Sequence, residues 1–151
     1  MSENHADGSD ATSRHARGWA TLTRVNGTDD PKVVRRVAEM SPDLARMIVE
    51  FGYGDCYADR PKDVLDERQR QLVTIGALAA TAGCEDQLAV HANVALEVGL
   101  TPDQVVEALV HALPYVGFPR TLNSIEAVRR VFERRGVWPD GGAAHPSGPQ
   151  P

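Results

Sequence analysis

The sequence predicts an all-α fold, a single-domain bundle of antiparallel helices, and three observations predict it. Apolar residues recur at helical spacing through the body of the chain, and no segment sustains a strand-like alternation. Cap signals divide that body, with Ser or Thr before Pro at starts and Gly at stops. The links between periodic segments are short, which makes consecutive helices antiparallel neighbours.

Residues 1–28 are polar, with small residues throughout and little periodicity, and read as a flexible arm. Trp19 and Leu22 are its exceptions and suit docking. Asp30-Pro31 caps a short helix carrying Val33, Val34 and Val37. Ser41-Pro42 repeats the signal, and Leu44, Met47, Ile48 and Phe51 follow at helical spacing. That helix is expected to end around residues 52–54, where the loop DCYADRPKDVL begins. In DERQRQLVTIGALAATAG a charged first turn precedes apolar residues that go nearly all the way round, as in a central helix. Gly83 stops it, and the next helix runs to Gly99, its C-terminal cap. Thr101, Pro102 and Gln104 then make a capping box ahead of Val105, Val106, Leu109 and Leu113. Pro114 frees the carbonyl of Val110 and favours a bend. After the turn at Gly117, the last helix carries Leu122, Ile125, Val128, Val131 and Phe132 as far as Gly136. Residues 138–151 are rich in Pro and Gly and read as a disordered tail, leaving one domain over 29–137.

The totals narrow the function. A chain of 151 residues supports one domain with a sizeable core. A net charge of −5 argues against nucleic-acid or anionic-membrane partners. No stretch approaches the roughly 20 apolar residues that span a bilayer, and the first residues lack the apolar core of a secretory signal. A cytoplasmic protein is therefore expected. The two cysteines, Cys56 and Cys84, form neither a secreted framework nor a CxxC pair. Phosphate-binding, dinucleotide-binding, zinc-protease and EF-hand motifs are absent, and the body histidines lie too far apart to suggest a metal site. No cofactor is expected.

Of five histidines, His5, His15 and His145 lie in the terminal stretches, which leaves His91 and His111. His91 follows Cys84 by close to two helical turns, so both lean to one face. Two readings fit His91: a core histidine bonded to a carbonyl, or an acid–base group. Cys84 reads as a reactive thiol or as a small capping residue, and Glu85 and Asp86 beside it favour the second. Gln104, Glu107, His111 and Tyr115 share one helical stripe, either a solvated face or a polar site in which Glu107 fixes the His111 tautomer. Arg68 and Arg70 do not share a face, and one of them, or Arg60 in the loop before, suits contact with a carboxylate.

SPDLARMIVEFGYGDCYADRP, LDERQRQLVTIGALAATAG and LAVHANVALEVGLTPDQVVEALVHALPYVGFPRTLNSI together resemble the carboxymuconolactone decarboxylase family. The hallmarks are Arg70-x-Leu72-Val73-Thr74-Ile75, then His91, then Gly99-Leu100-Thr101, then Tyr115-x-Gly117-x-Pro119. The resemblance covers about residues 30–135 and implies a helical subunit that assembles as a ring, a homo-oligomer of trimer or hexamer type. The wider superfamily includes alkylhydroperoxidase-D-like proteins with a Cys-x-x-Cys-x-x-x-His element. Laid on that element, Cys84 takes the first cysteine, Gln87 replaces the second, and His91 is the histidine. The upstream glutamate falls at Leu72, so the thiol redox cycle has lost its partners.

The resemblance implies a cofactor-free decarboxylase acting on a carboxylated unsaturated lactone such as 4-carboxymuconolactone. His91 is then the general acid or oxyanion donor for an enolate, and Arg70 the anchor for the spare carboxylate. His111, Glu107 and Tyr115 supply the second polar group, and Arg60, Cys84 and Gln87 contact the substrate. Asn93 stands where members often have a basic residue, and the loop after residue 54 is longer and more charged. Those departures keep open a natural-product tailoring enzyme, a cyclase or isomerase, on the same fold. A non-catalytic oligomeric binder of a small molecule is the remaining alternative.

Overall fold

The computed structural model describes residues 13–140, and these are all-helical, without a strand. They divide between Val64 and Leu65 into two compact units.

The first unit contains α1 (Arg14–Asn26), α2 (Lys32–Met40), α3 (Pro42–Met47) and a π-helix (Ile48–Ala58). Helix α1 occupies part of the stretch expected to be a flexible arm. Its Ser13 hydroxyl accepts from the Ala16 N–H at 3.1 Å, and Gly27 closes it in the left-handed region. Gly18, Thr21, Leu22 and Val25 are buried, an i, i+3, i+4, i+7 stripe. Two of its four members are glycine and threonine, which is why the stretch reads as polar. Gly18 lies against the π-helix so closely that a Cβ there would sit 2.1 Å from the Val49 carbonyl oxygen. Gly54 makes the reciprocal approach, where a Cβ would sit 3.2 Å from the Arg14 carbonyl oxygen.

Three ion pairs border this contact, the longest between Arg14 and Glu50 at 3.8 Å. Arg14 pairs with Asp55, and Arg17 grips Asp59 with both Nε and Nη2 at 2.8 Å. Leu22, Val34, Ala45 and Val49 form the core of the unit. Asp30 does not cap α2: Pro31 takes that place without a side-chain bond, and Asp30 pairs with Arg35 instead.

The helix expected to stop at residues 52–54 continues to Ala58 with a wider winding. The Asp59 N–H donates to the Gly54 carbonyl at 3.0 Å, a five-residue step. Cys56, expected in a loop, lies exposed on this helix.

The second unit contains α4 (Glu67–Ala80), α5 (Glu85–Glu97), α6 (Pro102–Val116) and α7 (Phe118–Arg135). Capping boxes open α4 at Asp66 and Gln69 and α6 at Thr101 and Gln104. Gly99 turns the chain after α5 with φ +89°, a conformation that favours glycine. Ile75, Leu88, Ala92, Val105, Leu109 and Phe132 lie at the centre of the core. Helix α4 packs against α5, α6 and α7 but is not buried all round. Only Gln71, Ile75 and Ala79 are buried on it, while Val73 is 63% exposed. Of the two tryptophans, Trp19 belongs to the first unit and Trp138 to the second. Among the described residues no helix is long and apolar enough to cross a membrane.

Candidate active site

His91 sits in the middle of α5, half-buried, between the buried residues Leu88 and Ala92. Its Nδ1 lies 3.0 Å from Oε1 of Gln71 on α4. An amide oxygen only accepts, so Nδ1 carries the proton and donates, and Nε2 keeps its lone pair. Gln71 is 1% exposed, so the bond joins two helices inside the second unit. It satisfies a polar group that would otherwise be costly to bury. Among the described residues Nε2 has no hydrogen-bond partner, and no buried side-chain nitrogen or oxygen lacks one. That edge of the ring therefore reaches solvent. Burial lowers the pKa of His91 from its ordinary 6.5, because a charged ring loses hydration that nothing nearby replaces. The resting ring is neutral at pH 7.

Gln71 lies one residue before Leu72, the position at which the superfamily's glutamate falls, and is not among the residues expected from the sequence. The signal was present: Gln71, Ile75 and Ala79 form one stripe at four-residue spacing, with a single polar member. An amide on an otherwise apolar stripe needs a buried partner.

Cys84 is half-buried at the N-cap of α5 and makes no side-chain capping bond. Gln87, one turn before His91, is exposed. Arg70 is half-buried on α4 beside Gln71, and its carbonyl accepts from the Thr74 hydroxyl at 2.9 Å. Arg68 donates to Oε1 of Gln104 on α6 at 3.1 Å. Arg60 belongs to the first unit, exposed just beyond the π-helix.

The α6 stripe differs from its expected form. His111 and Glu107 are both exposed, and no hydrogen bond joins them among the described residues. His111 instead meets the ring of Tyr115, centroids 6.3 Å apart and tilted by 59°. Tyr115 is itself 81% exposed. No hydrogen bond connects this stripe to His91 among the described residues. The reason is spacing: at i, i+4 an exposed Glu and His gain little from each other in water.

A small cleft of about 40 Å³ lies where the end of α4 meets the starts of α5 and α7, lined by Thr81, Glu85, Arg120 and Asn123 among others. His91 is not part of it. Arg120 there donates to the Ala80 carbonyl and closes the end of α4. Among the described residues no three His, Cys, Asp or Glu side chains cluster as a metal ligand set would. Of the expected catalytic groups, the structure gives an internal partner to His91 and leaves the α6 stripe at the surface.

The model of the carboxymuconolactone decarboxylase family matches residues 42–130, more than half of the chain. The chain belongs to this family. The matched span takes in His91, Gln71 and all four hallmark segments, and it leaves α1 outside. A 4-carboxymuconolactone decarboxylase of Acinetobacter baylyi is 28% identical over 128 residues, covering 84% of this chain and 92% of that protein.

Proposed function

We propose that the protein is a cofactor-free decarboxylase acting on a carboxylated unsaturated lactone of the 4-carboxymuconolactone type. The observation that carries this reading is His91: a half-buried imidazole, fixed on one edge and open on the other, in a chain of this family. The similarity to the Acinetobacter baylyi enzyme supports the substrate class.

Decarboxylation leaves an electron pair that spreads into the lactone as an enolate, and the reaction ends when carbon takes a proton. His91 Nε2 handles that proton. Arg70 anchors the second carboxylate, and Cys84 and Gln87 line the approach at the start of α5. His111, Glu107, Tyr115 and Arg60, all exposed, contribute as surface groups of a trimer or hexamer. Support for self-association comes from exposed apolar side chains on the second unit: Val73 at 63%, Phe118 at 69% and Leu122 at 63%.

The test is carbon dioxide release from 4-carboxymuconolactone. His91→Ala should lower it by roughly 10²- to 10⁴-fold, the usual worth of a positioned acid or base. An unaffected rate in the folded variant refutes the assignment. A second reading, an isomerase or cyclase tailoring a related acid, draws on the neutral ring, which is ready to abstract a proton. Rearranged product without carbon dioxide would establish that reading.

A further inference from the structure

We propose that Gln71 is the positioning residue for His91: its amide oxygen holds the ring in the Nδ1–H form, so that Nε2 alone exchanges protons with a substrate. The proposal deepens the decarboxylase reading and rests on it for the reaction, but not for the tautomer.

An amide at this position can do what its relatives cannot. Oε1 accepts from Nδ1–H at 3.0 Å when the ring is neutral, and it accepts from the same N–H when the ring is charged. Gln71 therefore supports both states without turning. A carboxylate in the same place would add a negative charge and favour the imidazolium. An apolar side chain would leave Nδ1 unpartnered and free the proton to move between the two nitrogens. Burial of Gln71 at 1% exposure keeps water from taking over its role.

The proton then follows one path. The anionic substrate arrives, and Nε2 takes up a proton from water. The bond between the lactone carbon and its carboxylate breaks, carbon dioxide leaves, and the electron pair enters the unsaturated ring. The Nε2–H bond breaks as a C–H bond forms, and the lone pair returns to Nε2. The sum is a carboxylate plus one water giving carbon dioxide, a C–H bond and a hydroxide left in solvent. Nδ1–H stays on Gln71 throughout, so no ring flip or tautomer change is needed between turnovers.

The experiment reads the ring directly. In the ligand-free full chain, ¹⁵N NMR of His91 should show a protonated Nδ1 and an unprotonated Nε2 at pH 7. Gln71→Leu should lose that pattern and shift protonation towards Nε2. Gln71→Glu, of nearly the same shape, should keep the pattern and raise the pH at which His91 titrates by about 1 or more. On 4-carboxymuconolactone, Gln71→Leu should lower kcat tenfold or more with KM little changed, and Gln71→Glu should recover part of it. A wild-type ring protonated on Nε2, or an unchanged tautomer in folded Gln71→Leu, overturns the proposal. Because the spectrum needs no substrate, a protein inactive on the lactone but showing the expected tautomer refutes the decarboxylase reading and leaves the role of Gln71 standing.

Discussion

A neutral imidazole has one lone pair, and where it points decides what the residue can do. In His91 it lies on the edge away from Gln71, and burial keeps the ring uncharged below the pH at which an exposed histidine would titrate. The sign of the resulting pH dependence separates the two reactions. A decarboxylase ends with a proton on carbon, so kcat/KM, which reports the free enzyme, should fall as pH rises through the folded pKa, below 6.5. A proton-abstracting isomerase would instead rise to a plateau over the same window. Cys84→Ser should keep at least half of the wild-type rate, since that thiol has no second cysteine beside it. A thiol-dependent activity would vanish in that variant. His91 was legible in the sequence because few histidines stood inside periodic segments. Gln71 was not, because its partner lies 20 residues away and only the packing of α4 on α5 brings them together.

At the level of elements, the contact between α1 and the π-helix depends on missing side chains. A Cβ at Gly18 would overlap the Val49 carbonyl, and backbone cannot yield as a flexible side chain would. Gly18→Ala should destabilise the first unit by about 3 kcal/mol, at the upper end of overpacking costs, as measured by denaturant unfolding. The ion pairs beside it make a second prediction. Hydrogen bonds from Arg14 and Arg17 hold the carboxyls of Asp55 and Asp59 below their ordinary 3.8. Depressed folded values mean stability that is present above 3.8 and lost as pH falls through them. Acidification below about pH 4 should therefore loosen α1, and salt should do the same in milder form, because these pairs are exposed. The double variant Asp55→Asn, Asp59→Asn should weaken both responses, leaving only what the longer Arg14–Glu50 pair supplies. Capped helices such as α6 were readable from Thr101, Pro102 and Gln104 alone. Helix α1 was hidden because glycine and threonine occupy its inner face, and the π-helix because its wide turns have no period that an α-helical template detects.

For the whole molecule, the helical class followed from periodicity, while the division at Val64 did not. Nothing in the residues around 60–65 distinguishes a boundary between compact units from an ordinary loop, since both are charged and contain proline. The proposed self-association belongs to this scale too. Tyr115, Phe118 and Leu122 present their side chains to solvent over the end of α6 and the start of α7. Phe118→Asp with Leu122→Asp should lower the mass found by sedimentation equilibrium to that of one chain, with helical content retained. A mass unchanged by these charges would remove this face from the assembly.

The placement of the tryptophans gives the molecule an internal pair of optical probes. Trp19 lies on α1 and stacks with His15, while Trp138 follows α7. Replacing either with phenylalanine leaves one emitter, and its spectrum then reports the melting of one half of the chain without the other. Whether the halves come apart in one step or two can thus be answered with two point variants and a fluorimeter.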